Sequence, residues 1–167
     1  MDCAELQELQ GPLKERYLDE PTAARVTLSA KADLGAGISC SVATGRGLAE
    51  AGLHPASGGD GSLLCSGDML LEALAACAGV TLRAVATSLE IPIEAGTVTA
   101  EGVLDFRGTL AVDRDAPVGF REIDVTFDLD VDADSEQIAT LLRLTERYCV
   151  VLQTITGAPR VNVVRAG

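Results

Sequence analysis

Two thiols stand where a sequence of this kind could do chemistry. Cys77 lies in the middle of a Leu- and Ala-rich run, S-G-D-M-L-L-E-A-L-A-A-C-A-G-V-T-L-R-A-V-A-T-S-L-E-I (66–91), and Cys149 lies in R-Y-C-V-V-L-Q-T-I-T (147–156). A thiolate attacks the O–O bond of a peroxide, and the sulfenic acid left on sulfur condenses with a second thiol to a disulfide. The two residues are 72 positions apart in the chain, so the reaction requires a fold that brings their Cα atoms to within about 4.4–6.8 Å. The competing reading is core filler, because free cysteine is among the most buried residue types and behaves as a small hydrophobe. Residue type and periodicity alone leave both readings open.

Other candidates carry less. Cys3, Cys40 and Cys65 complete the five cysteines, no two of which form a C-x-x-C pair, so zinc-site spacing is absent. Cys65 precedes the long run and is a bystander or a third redox thiol; Cys3 and Cys40 read as passive. His54 is the only histidine; placed before Pro55 in a Gly-rich stretch, it reads as a solvated loop residue rather than a general base. Asp128, Asp130, Asp132 and Asp134 fall at every second position, which suits one wet face of a strand better than a calcium loop. The Gly58-Gly59-Asp60-Gly61-Ser62 run lacks the Gly-Lys-Ser/Thr ending of a phosphate loop.

Composition narrows the classes further. The 167 residues suit one domain with a sizeable core, 47% hydrophobic residues argue against disorder, and 3% aromatics make that core aliphatic. A net charge of −12 disfavours nucleic-acid binding, which needs clustered Lys and Arg. The acidic start, M-D-C-A-E-L-Q-E-L, has no apolar core segment of a signal peptide. A reducing cytoplasm is the expected compartment, with no membrane association.

The elements that must hold the two thiols follow from periodicity. The run 66–91 reads as one long helix, capped at its start by Ser66 or Asp68 and stopped by Pro92. It is apolar on most sides and therefore buried; Glu72 and Arg83 interrupt it as a membrane span. Residues 2–18 read as a helix that Gly11-Pro12 could split. It forms an N-terminal arm (1–22) ahead of a single domain (23–167), and it must pack on something, such as a partner subunit. Alternation predicts strands over 24–32 and 37–44, joined as a hairpin, and over 94–112 and 120–132 as an antiparallel pair. Between them, 45–67 is a Gly-rich loop leading into the long helix. Asp134 with Gln137 fits a capping box for a helix bearing Ile138, Leu141, Leu142 and Thr145. A short helix over 147–156 and a last strand over 160–165 close an α+β order.

Two segments resemble a known family. E-A-L-A-A-C-A-G-V-T-L (72–82) together with E-R-Y-C-V-V-L-Q-T-I (146–155) is similar to the paired cysteine motifs of the OsmC/Ohr proteins, and the resemblance extends over roughly 24–165. It implies an α+β fold in which two subunits intertwine, with curved antiparallel sheets wrapped around long central helices and the sites at the dimer interface. It implies thiol-dependent reduction of organic hydroperoxides, with Cys77 peroxidatic and Cys149 resolving. It implies no bound cofactor, the thiols being regenerated by an external dithiol, often lipoyl-linked. The family's thiolate-holding arginine maps best to Arg46, with Arg25 as second choice. An adjacent guanidinium lowers a thiol pKa, which gives that role its physical sense. The family's glutamate ten residues before the first cysteine falls on Gly67 here, leaving Asp68 as the neighbouring carboxylate; Glu72 lies on another face. In the second motif Val150 and Leu152 stand in place of Pro and Ser. These departures sustain an alternative of another class: a dimeric OsmC-like protein that senses redox state or binds an apolar small molecule without turnover.

Overall fold

In a computed structural model, residues 3–34, 40–42 and 51–165 are described, with side chains described over 8, 10–27, 33 and 51–165. The architecture is α+β with one main antiparallel sheet. Helix α1 (Cys3–Asp19) leads through a 3-10 turn (Pro21–Ala24) into β1 (Arg25–Leu34) and β2 (Cys40–Val42). Short strands β3 (Ala51–Gly52) and β4 (Leu64–Cys65) flank a second 3-10 turn (Pro55–Ser57) and pair in parallel. Helix α2 (Ser66–Ser88), β5 (Ile93–Asp105), the one-turn α3 (Phe106–Thr109), β6 (Phe120–Val131), α4 (Ser135–Tyr148) and α5 (Val150–Thr156) complete the chain.

The main sheet runs β2-β1-β5-β6, every neighbour antiparallel. The expected pairs 24–32 with 37–44 and 94–112 with 120–132 are therefore present, although 37–39 and 43–44 lie outside the described residues. One side of β6 is wet: Asp124, Asp128 and Asp130 are exposed while Ile123, Val125, Phe127 and Leu129 turn inward.

Helix α2 lies across this sheet. Leu71, Leu74, Ala75 and Ala78 join Val98 and Ala100 of β5 in one aliphatic core, and Leu82 and Ala86 join Ile91, Ile93 and Leu141 in a second. At 23 residues and a mean hydropathy of 1.6, α2 is long and apolar enough to cross a membrane by length and composition, despite Glu72 and Arg83. Its buried leucines instead face the chain's own strands. Its outer stripe is less covered, with Leu70 38% and Val80 39% exposed.

The ends of α2 differ from expectation. Its N-cap is neither Ser66 nor Asp68 but Cys65, whose sulfur accepts the Gly67 N–H at 3.4 Å. Extended dihedrals put Cys65 just outside the helix, where a side-chain acceptor satisfies an orphan N–H. The helix stops at Ser88, three residues short of Ile91. Glu90 takes φ 57°, its N–H donates to the Thr87 carbonyl at 3.2 Å, and the Ile91 N–H reaches the Ala86 carbonyl at 2.9 Å. That double closure is a Schellman ending, and the buried Ile91 anchors it.

Three further departures have local causes. Strand β5 ends at Asp105 rather than 112, because the Asp105 carboxylate accepts the Arg107 N–H at 3.2 Å and starts α3. Gly108 permits that turn, since a Cβ there would meet the Pro117 carbonyl oxygen at 2.4 Å. Helix α1 runs through Pro12 without a break. It packs on its own chain: Tyr17 is buried with Ala24, Phe106 and Leu110, and its hydroxyl donates to the Ala56 carbonyl at 2.6 Å. The stretch 160–165 forms no strand among the described residues. The capping box of α4 is present in full: Asp134 accepts the Gln137 N–H at 2.8 Å, and Gln137 Oε1 accepts the Asp134 N–H at 3.0 Å.

One buried ion-pair centre ties the sheet together. The fully buried Asp105 carboxylate accepts from Arg107 Nη2 at 2.7 Å and from Arg121 of β6 at 3.4 Å, with Arg25 of β1 at 3.9 Å. The Arg107 hydrogen bonds hold the Asp105 carboxyl below its ordinary range against the opposing effect of burial. A depressed carboxyl stabilises the fold above the unfolded pKa, and that contribution disappears as pH falls through the folded value. Asp105→Asn is expected to cost about 2–3 kcal/mol near neutral pH, the scale of hydrogen bonds to a charged group. Urea titrations of both proteins at pH 7 and at progressively lower pH should show the gap closing below about pH 4, where the unfolded carboxyl also binds its proton.

Candidate functional site

The site is made where helix α2 faces the break between α4 and α5. Cys77 sits mid-way along α2 and is partly exposed, with Thr81 one turn on: Sγ and Oγ1 are 4.0 Å apart. Opposite it, the expected single helix over 147–156 is interrupted. Helix α4 ends at Tyr148, Cys149 takes φ −70° and ψ 104°, and α5 begins at Val150. The β-branched Val150-Val151 pair, poor in helix propensity, follows this extended residue.

The break has a chemical consequence. The first N–H groups of a helix have no partner within it. Here those of Val150 and Val151 lie near the Cys77 sulfur and lower its pKa. Cys149 itself is fully buried among Leu71, Leu74, Ala75, Ala78, Val98 and Ala100, with its own N–H on the Thr145 carbonyl at 2.9 Å. Its thiol lies within hydrogen-bonding reach of Cys77. Both cysteines are free thiols.

The environments push the two thiols apart. Burial raises Cys77, but the Val151 N–H, the Cys149 thiol, the Thr81 hydroxyl and the Val150 N–H together outweigh it and leave it below the ordinary thiol value. Cys149 is pushed up to about 11, first by burial, then by its hydrogen bond to Cys77 and by the Cys77 charge, against the N–H groups of Leu152 and Val151. The two thiols are biased in opposite directions, Cys77 toward the thiolate and Cys149 toward the protonated thiol, which is the division a nucleophile and its resolving partner need.

The remaining candidates lie elsewhere. Arg46 is outside the described residues. Arg25 sits at Asp105, in the ion-pair centre. Among the described residues, the influences that lower Cys77 are hydrogen-bond donors. Asp68 stands in the first turn of α2, nine residues before Cys77, which on a helix is half a turn round and about 13 Å along the axis. It faces His54, whose charge opposes the upward push that burial gives the Asp68 carboxyl. Burial, then the Asp68 charge, likewise raises Glu72.

His54 is a turn-former rather than a solvated loop residue. Its Nδ1 accepts the Ala56 N–H at 3.0 Å and its ring stacks on Phe106 with centroids 5.0 Å apart. Asp60 closes the Gly-rich run on itself, accepting from the Ser62 N–H at 2.8 Å and hydroxyl at 2.6 Å. Among the described residues no group of three or more His, Cys, Asp or Glu could hold a metal ion. The side chains of Cys3 and Cys40 are outside the described set. Sequence reasoning missed the Val150 and Val151 amides, because backbone donors leave no residue-type signature, and the Cys65 cap, because a thiol is an uncommon choice there.

Comparison with known proteins adds the family context. A family model described as OsmC-like protein matches residues 59–164. No curated protein matches the sequence. Among solved structures, the fold is similar to an OsmC-like hydroperoxide resistance protein from Jannaschia sp. CCS1, with a TM-score of 0.57 at 17% identity, covering 86% of this chain and 92% of that one. It is also similar to an OsmC-like protein from Mycoplasma pneumoniae, with a TM-score of 0.56 at 17% identity, covering 80% of this chain and 86% of that one.

The thiol asymmetry is directly measurable. Iodoacetamide alkylation followed by peptide mass spectrometry should show Cys77 reacting with an apparent pKa below that of a free cysteine, while Cys149 stays inert until much higher pH. Thr81→Val removes one donor and should move the Cys77 profile upward; an unmoved profile would remove the hydroxyl from the account.

Proposed function

The chain belongs to the OsmC-like family, and on that footing we propose that it is a thiol-dependent peroxidase acting on organic hydroperoxides. The observation that carries this reading is the apposition of a lowered thiol, Cys77, with a raised and buried one, Cys149. The neighbour from Jannaschia, named for hydroperoxide resistance, points the same way.

Cys77 thiolate attacks the outer oxygen of R–O–O–H. The S–O bond forms, the O–O bond breaks, and the alkoxide takes a proton and leaves as R–OH. The Val150 and Val151 N–H groups hold the thiolate in place before attack, as fixed dipoles that need no reorganisation. The product is a sulfenic acid on Cys77. Consumption of the Cys77 charge removes one of the influences that keep Cys149 protonated. Cys149 sulfur then displaces the sulfenic oxygen, which leaves as water with the Cys149 proton, and a Cys77–Cys149 disulfide remains. An external dithiol returns both thiols by exchange and is itself oxidised to a disulfide. Cys77 and Cys149 are the catalytic residues in this scheme. Arg46 and Asp68 remain candidates from the family pattern, Arg46 as a cation for the thiolate.

The working form is a homodimer in a reducing, cytoplasmic compartment. The uncovered apolar stripe of α2, with Leu70 and Val80 each more than a third exposed, supports a second copy packed there. A second reading has its own observation. Gly67 stands where the family's glutamate falls, and among the described residues the groups that lower Cys77 are hydrogen-bond donors. A dimer with these features would form the disulfide as a redox sensor without turnover.

Consumption of cumene hydroperoxide in the presence of dithiothreitol separates the two. Multiple turnovers that fall by at least ~100-fold in Cys77→Ser, the scale of losing a nucleophile, support the peroxidase. With the dithiol left out, Cys149→Ser should consume about one equivalent and stop at the sulfenic acid. Wild-type protein that stops after one equivalent despite excess dithiol would favour the sensor, and no consumption at all would exclude both.

A further inference from the structure

A break in a helix strands two sets of backbone groups: the carbonyls of the turn before it and the N–H groups of the turn after it. At Cys149 one residue serves both sides. The Cys149 N–H still reaches the Thr145 carbonyl at 2.9 Å, so α4 is closed up to that point. The next bond of a continuing helix would run from the Val150 N–H to the Glu146 carbonyl, four residues back. That carbonyl instead accepts from the Gln153 side chain, with Nε2 at 3.0 Å. The Gln153 main-chain N–H donates to the Cys149 carbonyl at 2.9 Å, which opens α5. Gln153 therefore grips α4 through its side chain and α5 through its backbone.

The side-chain contact belongs to the broken geometry. In one continuous helix over 135–156 the Glu146 carbonyl would already hold the Val150 N–H. The residue at 150 does not forbid that helix. Val150 stands where the family motif has proline, and proline enforces a break by lacking an N–H and by clashing with the carbonyl four residues back. Valine keeps its N–H, and its reluctance to enter a helix is small. The Val150 amide thus has two places to go: back to Glu146, or toward the Cys77 sulfur near which it lies. No cap decides between them from outside α5, because Cys149 makes no side-chain capping hydrogen bond. The decision falls to a residue within α5.

We propose that Gln153 is a positioning residue for Cys77: by occupying the Glu146 carbonyl it keeps the Val150 N–H off α4 and available to the Cys77 sulfur. It acts through the Val150 amide. A proline at 150 would hold the break but supply no donor; valine at 150 with glutamine at 153 holds the break and keeps the donor. The assignment rests on Cys77 as the reactive thiol, as read above.

A double-mutant cycle in the full-length, reduced protein tests it. Cys77 alkylation by iodoacetamide is followed against pH in wild type, Gln153→Met, Val150→Pro and the double variant. Gln153 is exposed, so its replacement removes no core packing; methionine keeps its length and has no donor. Val150 is the first residue of α5, a position that accommodates proline. None of these variants changes a charge, and among the described residues the titratable group acting on Cys77 is Cys149. Gln153→Met alone should move the Cys77 midpoint upward and slow alkylation at pH 7 by ~3-fold or more, the scale of one hydrogen bond, with the high-pH plateau kept. In the Val150→Pro background, where position 150 has no amide to lose, Gln153→Met should leave the midpoint in place. A midpoint unmoved by Gln153→Met overturns the proposal. So does an equal shift in both backgrounds, which would make Gln153 a brace of α5 and nothing more. The Val150 amide resonance of ¹⁵N-labelled protein gives a reading that needs no proline: titration of Cys77 should move it in wild type and much less in Gln153→Met, and equal movement in both would also overturn the assignment. These readouts use no hydroperoxide. Coupled positions in a protein that consumes no hydroperoxide would keep the positioning role and remove the chemistry; turnover with uncoupled positions would do the reverse.

Discussion

The site depends on one backbone break. If α4 and α5 were a single helix, the amides of Val150 and Val151 would be spent on carbonyls one turn back. Cys149 would then be an ordinary helical residue. Because Cys149 is extended, α5 starts afresh and its first N–H groups are free to meet the sulfur of α2. The same break buries the Cys149 side chain against Ala75 and Ala78 of α2 and Val98 and Ala100 of β5. A single departure from helical geometry therefore supplies both the donors for one thiol and the desolvation of the other.

The rest of the fold holds that junction still. Helix α2 cannot slide, because its leucines interlock with β5 and its end is fixed by the Schellman closure at Ile91. Helix α4 is fixed at its start by the Asp134–Gln137 box and along its length by Leu141 in the second core cluster. At the far end of the sheet, Asp105 gathers arginines from β1, α3 and β6. Backbone donors in a rigid frame have no side-chain rotamer entropy to lose when they meet a sulfur.

Much of this was legible in the sequence, and the exceptions share a cause. Alternation located β5 and β6, and the Asp134–Gln137 spacing announced α4, because side-chain period and cap chemistry are written in residue types. The long apolar run announced α2. The two cysteine motifs, read with the family resemblance, announced the pair that the fold brings together. Contacts made by the backbone were invisible: the amides at Cys77 and the turn at Glu90, a residue not expected at positive φ. Cys65 as a cap was missed because a thiol is an uncommon choice there. Strand β5 was read seven residues too long because Asp105 looks like one more polar alternate until its arginines are placed. The stretch 160–165 reads as a strand and is one in composition, but among the described residues no strand pairs with it.

The central claim is that Cys77 and Cys149 are a working pair rather than two core residues. Addition of one equivalent of hydroperoxide to the reduced protein, quenching with iodoacetamide and mapping by peptide mass spectrometry tests it most directly. The account predicts that the peptides holding Cys77 and Cys149 appear joined by a disulfide, and that Cys65 is recovered alkylated. Recovery of Cys77 and Cys149 as separate, alkylated or over-oxidised peptides would contradict it.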